Sequence, residues 1–478
     1  MQKRFSKKNH GFFKSEKNPF LFYSCQIISI FLLSFFLISL LSSALNILSP
    51  ASPEKLSAMQ EKILEEELDK NYEERKNIIN FLPYDFSKNE IEIATESAIM
   101  IDQNTGSIIF EKNADEIIPP ASMTKLVEMY VVFSECEKGK ISLDDTVPLP
   151  RECWRENMPL DASLMFLDKD QKVTLKELLL GLSIASGNDA SIAVANYVAG
   201  SMDAFVENMN STVKEMGLSN THFVESSGYS EKNKTTPRDF VQFCRNYIKR
   251  FPHALKDFHS QKMLAYPQKH NLPSWQKEEV QPIVQYNTNK LLGKVPGVDG
   301  LKTGFINESG YNLALTAERN ENRFLAVMMR GPGKNTSEGN FYRVQDGKKL
   351  LEYAFSNFTL YRPEKKEGHT FNVALASSKE KSVTLVPALD ESMTFPLFSL
   401  SESSSEKENE ISIYADFPFC LKGNIKAGMS YGSLTYMKEG KVLRKIDLVA
   451  DRNSKKKFSL SDEIAFLLFK KSLSRKVL

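Results

Sequence analysis

The sequence predicts an α+β fold, an antiparallel sheet packed with helices, followed by a small all-β domain. Three observations carry this reading. The chain has 478 residues, more than one core usually serves, so two or more domains are the default. Between Ser97 and Phe358, apolar strand-like segments stand at both ends with helical patterns between them, which joins the first and last segments in one sheet. After Phe358 the helical patterns give way to short alternating segments broken by polar turns.

The N-terminal segment, 1–53, starts with Lys3, Arg4, Lys7, Lys8, Lys14 and Lys17, then holds no charged residue from Asn18 to Pro53. A basic start before such an apolar run is an export signal, because positive charge stays cytoplasmic while the apolar stretch enters the membrane. Ser42 and Ala44 allow cleavage after Ala44, and the length equally suits a retained anchor. Cys25 precedes the apolar run, which speaks against a lipoprotein. The rest of the chain is expected outside the cytoplasm. Residues 54–90 read as an exposed helical linker, with Leu56, Met59, Ile63, Leu64 and Leu68 at helical spacing.

The domain expected at 91–360 opens with strands Ser97–Asp102 and Ser107–Glu111 around the turn Asn104-Thr105-Gly106. Pro119-Pro120 end that hairpin, and Ala121–Phe133 reads as a largely buried helix. Helical patterns follow at Leu175–Ala185, Ser191–Tyr197 and Asp203–Met216, and strands at Leu313–Ala317 and Phe324–Met329. In the β-rich domain, 361–460, the expected strands are Val373–Ala376, Val383–Val386, Ile411–Tyr414, Ser433–Tyr436 and Ile446–Val449, with Ser399–Glu410 an exposed loop. The tail, 461–478, joins apolar Ile464–Phe469 to Lys470, Lys471, Arg475 and Lys476. Six residues rise only about 9 Å as a helix and cannot cross roughly 30 Å of hydrocarbon. The tail is expected to lie on a membrane surface, with packing onto the β-rich domain as the alternative.

Composition narrows the function. The 62 Lys and Arg against 60 Asp and Glu leave a net charge of +2, no footprint for nucleic acid. Five cysteines are too few for a disulfide scaffold. Cys136, Cys153, Cys244 and Cys420 lack metal spacing, as do the six histidines, so neither metal nor cofactor is expected.

Three short motifs carry the chemistry: Ser122-Met123-Thr124-Lys125, Ser186-Gly187-Asn188 and Lys302-Thr303-Gly304. S-x-x-K alone is weak, since it also begins at Ser52, Ser211, Ser274, Ser378, Ser404 and Ser454. Ser122 differs in context, with Pro120-Ala121 before it and an apolar helix after it. Residues three apart share a helix face, so the Lys125 amine can reach the Ser122 hydroxyl. A hydroxyl needs a base to become a nucleophile, and lysine serves when burial or a second cation lowers its pKa. Lys302 is the candidate second cation and a candidate holder of a substrate carboxylate. The third motif is expected between the turn Pro296-Gly297 and a strand.

The trio is that of penicillin-binding proteins and β-lactamases. Together with Met158–Leu167, Ala185–Ala190, Asn220–Phe223, Val298–Gly304 and Gly310–Leu313, it resembles the serine-type D-alanyl-D-alanine carboxypeptidases, the low-molecular-mass penicillin-binding proteins that trim peptidoglycan stem peptides. The similarity runs from about Ser97 to Phe358 and continues weakly through the β-rich segment. It implies a penicillin-binding, β-lactamase-like catalytic fold, an acyl-enzyme at Ser122, and Lys125 as general base. Ser186 and Asn188 would relay a proton and bind the peptide amide. Lys302, Thr303 and Gly304 would take the terminal carboxylate, with backbone N–H groups of Ser122 and Phe305 at the oxyanion. The implied partners are the stem peptide, β-lactams as inhibitors, and a membrane, and the implied location is the periplasm or the outer face of a bacterial cytoplasmic membrane. Phe305-Ile306 stands where many relatives have His-Thr, and Glu225-Ser226-Ser227-Gly228 departs from the common Asn-Pro-x-Gly.

Rival readings have specific defects. A class A β-lactamase needs E-x-x-L-N for its deacylating water, and Glu215-Met216-Gly217-Leu218-Ser219 ends in Ser. Gly428-Met429-Ser430-Tyr431-Gly432 matches an α/β-hydrolase elbow, yet alternation rather than a helix follows it, and no histidine lies beyond His369. A penicillin-binding structural protein with little activity would be expected to lose a catalytic side chain. A DD-endopeptidase on the same scaffold remains an alternative.

Overall fold

The computed structural model describes residues 19–49, 59, 62, 64, 66, 79–81, 91–276, 280–361, 369–388, 395–398, 411–438, 440–469 and 476–477. The basic residues 3–17, most of the linker 54–90, the loop 399–410, and Lys470, Lys471 and Arg475 lie outside them.

A six-stranded sheet forms the frame. Its strands are β1 (Asn80–Phe81), β2 (Ser97–Asp102), β3 (Ser107–Lys112), β4 (Val298–Ile306), β5 (Gly310–Arg319) and β6 (Asn322–Gly331), in the order β1-β3-β2-β6-β5-β4. All neighbours are antiparallel except β1 and β3. β2 pairs with β6, Ile99 opposite Val327, which closes the sheet between distant segments as expected.

The strands read as continuous apolar runs because both faces are covered. Ile99, Ile101, Leu325, Val327 and Met329 point into one core, while Ala98, Met100, Phe324, Ala326 and Met328 point into another. The first core is filled from α2 (Lys125–Glu137), α3 (Leu175–Leu180), α4 (Asn188–Ala199), α5 (Met202–Glu215) and α6 (Pro237–Arg250). The second is covered by α7 (Thr336–Asn357), through Leu350, Leu351 and Ala354. Truncating one of these buried aliphatics to alanine costs roughly 2–5 kcal/mol.

Local signals set the helix starts. α3 opens with a capping box between Thr174 and Glu177. α6 has Thr236 as N-cap with Pro237 just inside it. The expected helix 175–185 differs in its second half, where Gly181–Ala185 widens into a π-turn ending at Ser186 in the left-handed region, φ 60°. Ala121–Phe133 also differs: a 3₁₀ turn, Ala121–Thr124, precedes α2.

The β-rich segment is a seven-stranded sheet of β7 (Phe371–Ala376), β8 (Ser382–Pro387), β9 (Ser412–Asp416), β10 (Cys420–Lys422), β11 (Ser430–Lys438), β12 (Lys441–Ala450) and β13 (Lys476–Val477). Ser430 begins β11, so the elbow-like string is a turn into a strand. Cys136, Cys153, Cys244 and Cys420 are free thiols.

The long N-terminal helix α1 (Pro19–Leu48) contains a 23-residue stretch, Gln26–Leu48, of mean hydropathy 2.4 and almost wholly exposed. At about 34 Å it is long enough to cross a bilayer. Its last turns meet α8 (Leu460–Phe469). Ser43 Oγ donates to Asp462 Oδ1 at 2.5 Å, Ser39 Oγ to Ser461 Oγ at 2.9 Å, and Asn46 Nδ2 to the Lys381 carbonyl at 3.1 Å. Ile47 and Ala465 are buried with Ala374, Ala376 and Cys420, whereas Leu467 and Leu468 stay exposed. Beyond α8, Lys476–Val477 pairs with β9.

Candidate active site

The three motifs converge. Ser122 sits in the 3₁₀ turn, preceded by Ala121 at φ 51°, a costly conformation for a residue with a Cβ. Lys125, wholly buried, begins α2 one turn later. Its Nζ reaches Ser122 Oγ at 3.3 Å and Asn188 Oδ1 at 2.8 Å, and it donates to the Ser227 carbonyl. Burial drives its pKa down to about 8, opposed by Glu128, Glu225 and Asp189. At that value about a tenth is neutral amine near pH 7, far more than an ordinary lysine offers.

Ser186 owes its position to the π-turn, and Asn188 to the start of α4. Asp189 fixes this corner. Its Oδ1 accepts from the N–H groups of Met165 and Ala190 at 2.8 and 2.9 Å. Its Oδ2 accepts from Phe166 and Leu167 at 2.8 and 2.9 Å. The carboxylate thereby ties the 165–167 loop to the helix that carries Asn188, a structural part rather than an acid for the reaction.

Lys302-Thr303-Gly304 lies inside β4, not before a strand as the sequence suggests. Gly300 and Gly304, with Lys302 and Thr303 between them, interrupt the apolar alternation that marks a strand. β4 is an edge strand, so its outer backbone groups face the cleft beside Ser122. Lys302 Nζ donates to Ser186 Oγ and to the Thr303 carbonyl, both at 3.0 Å. Burial, then Lys125 and Arg343, hold the Lys302 pKa well below its ordinary value. Thr303 Oγ1 donates to Thr288 Oγ1 at 2.7 Å. Gly304 runs so close to the nucleophile turn that a Cβ there would sit 2.6 Å from the Pro120 carbonyl oxygen. Phe305 is 44% exposed at the cleft and stacks on Tyr311 with ring centroids 4.3 Å apart.

Two features have no role in the sequence reading. Arg343, on α7, donates to the Gly304 carbonyl and to Asn340 Oδ1 at 3.0 Å, with its guanidinium 4.9 Å from the Tyr311 ring centre. It brings a buried cation beside Lys302, while its local sequence reads as a solvated helix face. The second is the 225–228 loop. Glu225 Oε2 accepts from Ser227 N–H at 2.7 Å and Oε1 from Gly228 N–H at 2.8 Å, folding the loop that offers Ser227 to Lys125. Gly228, at φ 80°, is pressed against the Ala121 carbonyl. Among the described residues there is no group of three or more His, Cys, Asp or Glu side chains placed to hold a metal.

Chemically, the arrangement offers a hydroxyl, a buried amine touching it, a second hydroxyl on a second amine, and an open strand edge. That suits acyl transfer to Ser122 from an extended peptide bearing an anionic end.

The sequence profile of D-alanyl-D-alanine carboxypeptidase matches residues 84–333, and that of the penicillin-binding protein 5 C-terminal domain matches residues 355–456. The carboxypeptidase DacA of Haemophilus influenzae is 31% identical over 360 residues, 75% of this chain and 84% of that protein. DacF of Bacillus subtilis is 28% identical over 391 residues, 79% and 92% of the respective chains. The crystal structure of penicillin binding protein 5 from Haemophilus influenzae superposes with a TM-score of 0.67 at 28% identity, covering 77% of this chain and all of that one.

Proposed function

The chain belongs to the D-alanyl-D-alanine carboxypeptidase family, and from that premise we propose that Ser122 is the nucleophile that removes the terminal D-alanine of peptidoglycan stem peptides. The observation that carries the assignment is the Lys125 amine, itself wholly buried, 3.3 Å from the half-buried Ser122 hydroxyl.

In this reading Lys125 takes the Ser122 proton as Oγ attacks the penultimate D-alanine carbonyl. The oxyanion lies between the backbone N–H groups of Ser122 and Phe305, donors that do not depend on the Phe305 side chain. The peptide extends along the outer edge of β4. Its carboxylate meets Lys302, Thr303 and the strand at Gly304, with Arg343 adding positive charge. Asn188 holds the peptide amide. Ser186, hydrogen-bonded to Lys302, delivers a proton to the departing D-alanine nitrogen, and water then cleaves the Ser122 ester. A β-lactam enters as a carboxylate-bearing mimic and acylates the same oxygen. The catalytic domain in this reading spans residues 91–360 and the β-rich domain 361–460.

The test is a fluorescent penicillin incubated with the detergent-solubilised chain, then peptide mapping. The label is expected on Ser122 and absent in Ser122→Ala. Labelling that survives Ser122→Ala contradicts the assignment.

For location, we propose that α1 is retained as the anchor, with α8 beside it at the outer surface and Leu467 and Leu468 in the lipid. The support is that Ser39, Leu40, Ser43, Asn46 and Ile47, on both sides of Ala44, contact α8 and the β-rich sheet. Cleavage after Ala44 would discard most of those contacts. Intact mass of the membrane-extracted protein decides this: a chain starting near residue 45 refutes a retained anchor.

A further inference from the structure

One turn beyond Lys125, α2 carries a second titratable group that the reaction above leaves unused. Glu128 is wholly buried within an otherwise apolar stretch, Leu126 to Phe133. A carboxyl there is costly to bury unless something answers it. Its Oε2 accepts from Ser191 Oγ of α4 at 2.8 Å, and Ser191 Oγ meets Ser226 Oγ at 2.6 Å. Ser226 directly precedes Ser227, whose carbonyl receives Lys125. Glu128 Oε1 is buried with no hydrogen-bond partner. The network therefore leaves Lys125, passes through the 225–228 loop and α4, and returns to the same helix one turn on.

The charged groups around this pair are few. Lys125 faces Glu128 from α2 and Glu225 faces it from the loop. Asp189 at the start of α4 acts on Lys125, whose charge is felt in turn by Lys302 on β4. Lys125 is the one cation that stabilises an ionised Glu128 among these. The two hydroxyls of Ser191 and Ser226 can each donate or accept. With Glu128 ionised, Ser226 donates to Ser191 and Ser191 to the carboxylate. With Glu128 protonated, the chain reverses and the carboxyl donates to Ser191.

We propose that Glu128 is a positioning residue that sets the proton affinity of Lys125, its carboxylate stabilising the ammonium that forms when Lys125 accepts the Ser122 proton. The serine pair keeps the carboxyl hydrogen-bonded whichever group of the pair holds the proton. One O–H bond breaks at Ser122 and one N–H bond forms at Lys125; Glu128 exchanges nothing with substrate. Burial moves Glu128 up to about 8 and Lys125 down to about 8, so the two titrate over one range as a pair.

The proposal rests on Ser122 and Lys125 acting as assigned above, and its test separates the two. The full chain in detergent is mixed with a chromogenic cephalosporin, and the acylation rate constant is measured from about pH 5 to pH 10. Glu128→Gln removes the charge and keeps the shape. Its acid limb is expected to move to lower pH by about one unit or more, because the ammonium loses its counter-charge. Ser191→Ala withdraws the donor that supports the carboxylate, so a smaller shift of the same sign is expected, and this variant carries the test if Glu128→Gln does not fold. An acid limb that stays in place, or a uniform loss at every pH, overturns the proposal while Ser122 still labels. Absence of Ser122 labelling in the unaltered chain overturns the catalytic assignment, and the proposal with it.

Discussion

Asp189→Asn separates a residue that builds the site from one that does chemistry in it. The carboxylate receives four backbone N–H groups, from Met165, Phe166, Leu167 and Ala190, at 2.8–2.9 Å. Asparagine keeps one accepting oxygen and points an NH₂ at the other two donors. Two buried N–H groups then lack acceptors, each costing about 1–3 kcal/mol, so the variant is expected to lose roughly 2–6 kcal/mol. At about 2–4 °C per kcal/mol for a domain of this size, the melting temperature falls by on the order of 10 °C. The assay pairs thermal unfolding by circular dichroism with penicillin acylation measured far below the transition. Stability is expected to drop while Ser122 still acylates, more slowly where the Asn188 corner loosens. A loss under about 1 kcal/mol refutes the bonding argument. Unchanged stability with abolished acylation makes Asp189 a participant in the reaction.

Gly228→Ala places a Cβ on the Ala121 carbonyl at a backbone φ of 80°, so the loop must shift away from the nucleophile turn. Acylation is expected to fall by at least about tenfold, since small displacements of reacting groups have such effects; labelling at the original rate shows that the loop does not set Lys125. Lys302→Ala is expected to lower kcat/KM more for peptides ending in a free carboxylate than for an uncharged ester. Equal losses on both substrates remove the carboxylate role from Lys302.

Much of the catalytic fold is legible in the residues. Two-sided burial makes the middles of β2, β5 and β6 mainly apolar, and Pro119-Pro120 followed by an apolar run marks the entry to α2. The two serine motifs are legible because Ser122–Lys125 stands at the start of α2 and Ser186–Asn188 at the turn into α4. β4 is not, because an edge strand that binds substrate carries Gly300, Lys302, Thr303 and Gly304 where a core strand would carry valine or leucine. Arg343 is hidden for a different reason: a helix arginine reads as solvated until α7 is seen to lay it against Tyr311 and the Gly304 carbonyl. Glu128 is equally silent, since its partners Ser191 and Ser226 lie on other segments far along the chain. The meeting of α1 with α8 joins the two ends of the described chain, and no local pattern announces it.

The central claim is that Ser122, activated by Lys125, removes the terminal D-alanine from stem peptides. Its most direct test is D-alanine release from a pentapeptide ending in D-Ala-D-Ala by the full chain in detergent. One equivalent of D-alanine per peptide cleaved, catalytic turnover, and loss of activity in both Ser122→Ala and Lys125→Ala are the predicted results. Release that persists in Ser122→Ala, or a chain that binds penicillin at Ser122 yet never frees D-alanine, contradicts it.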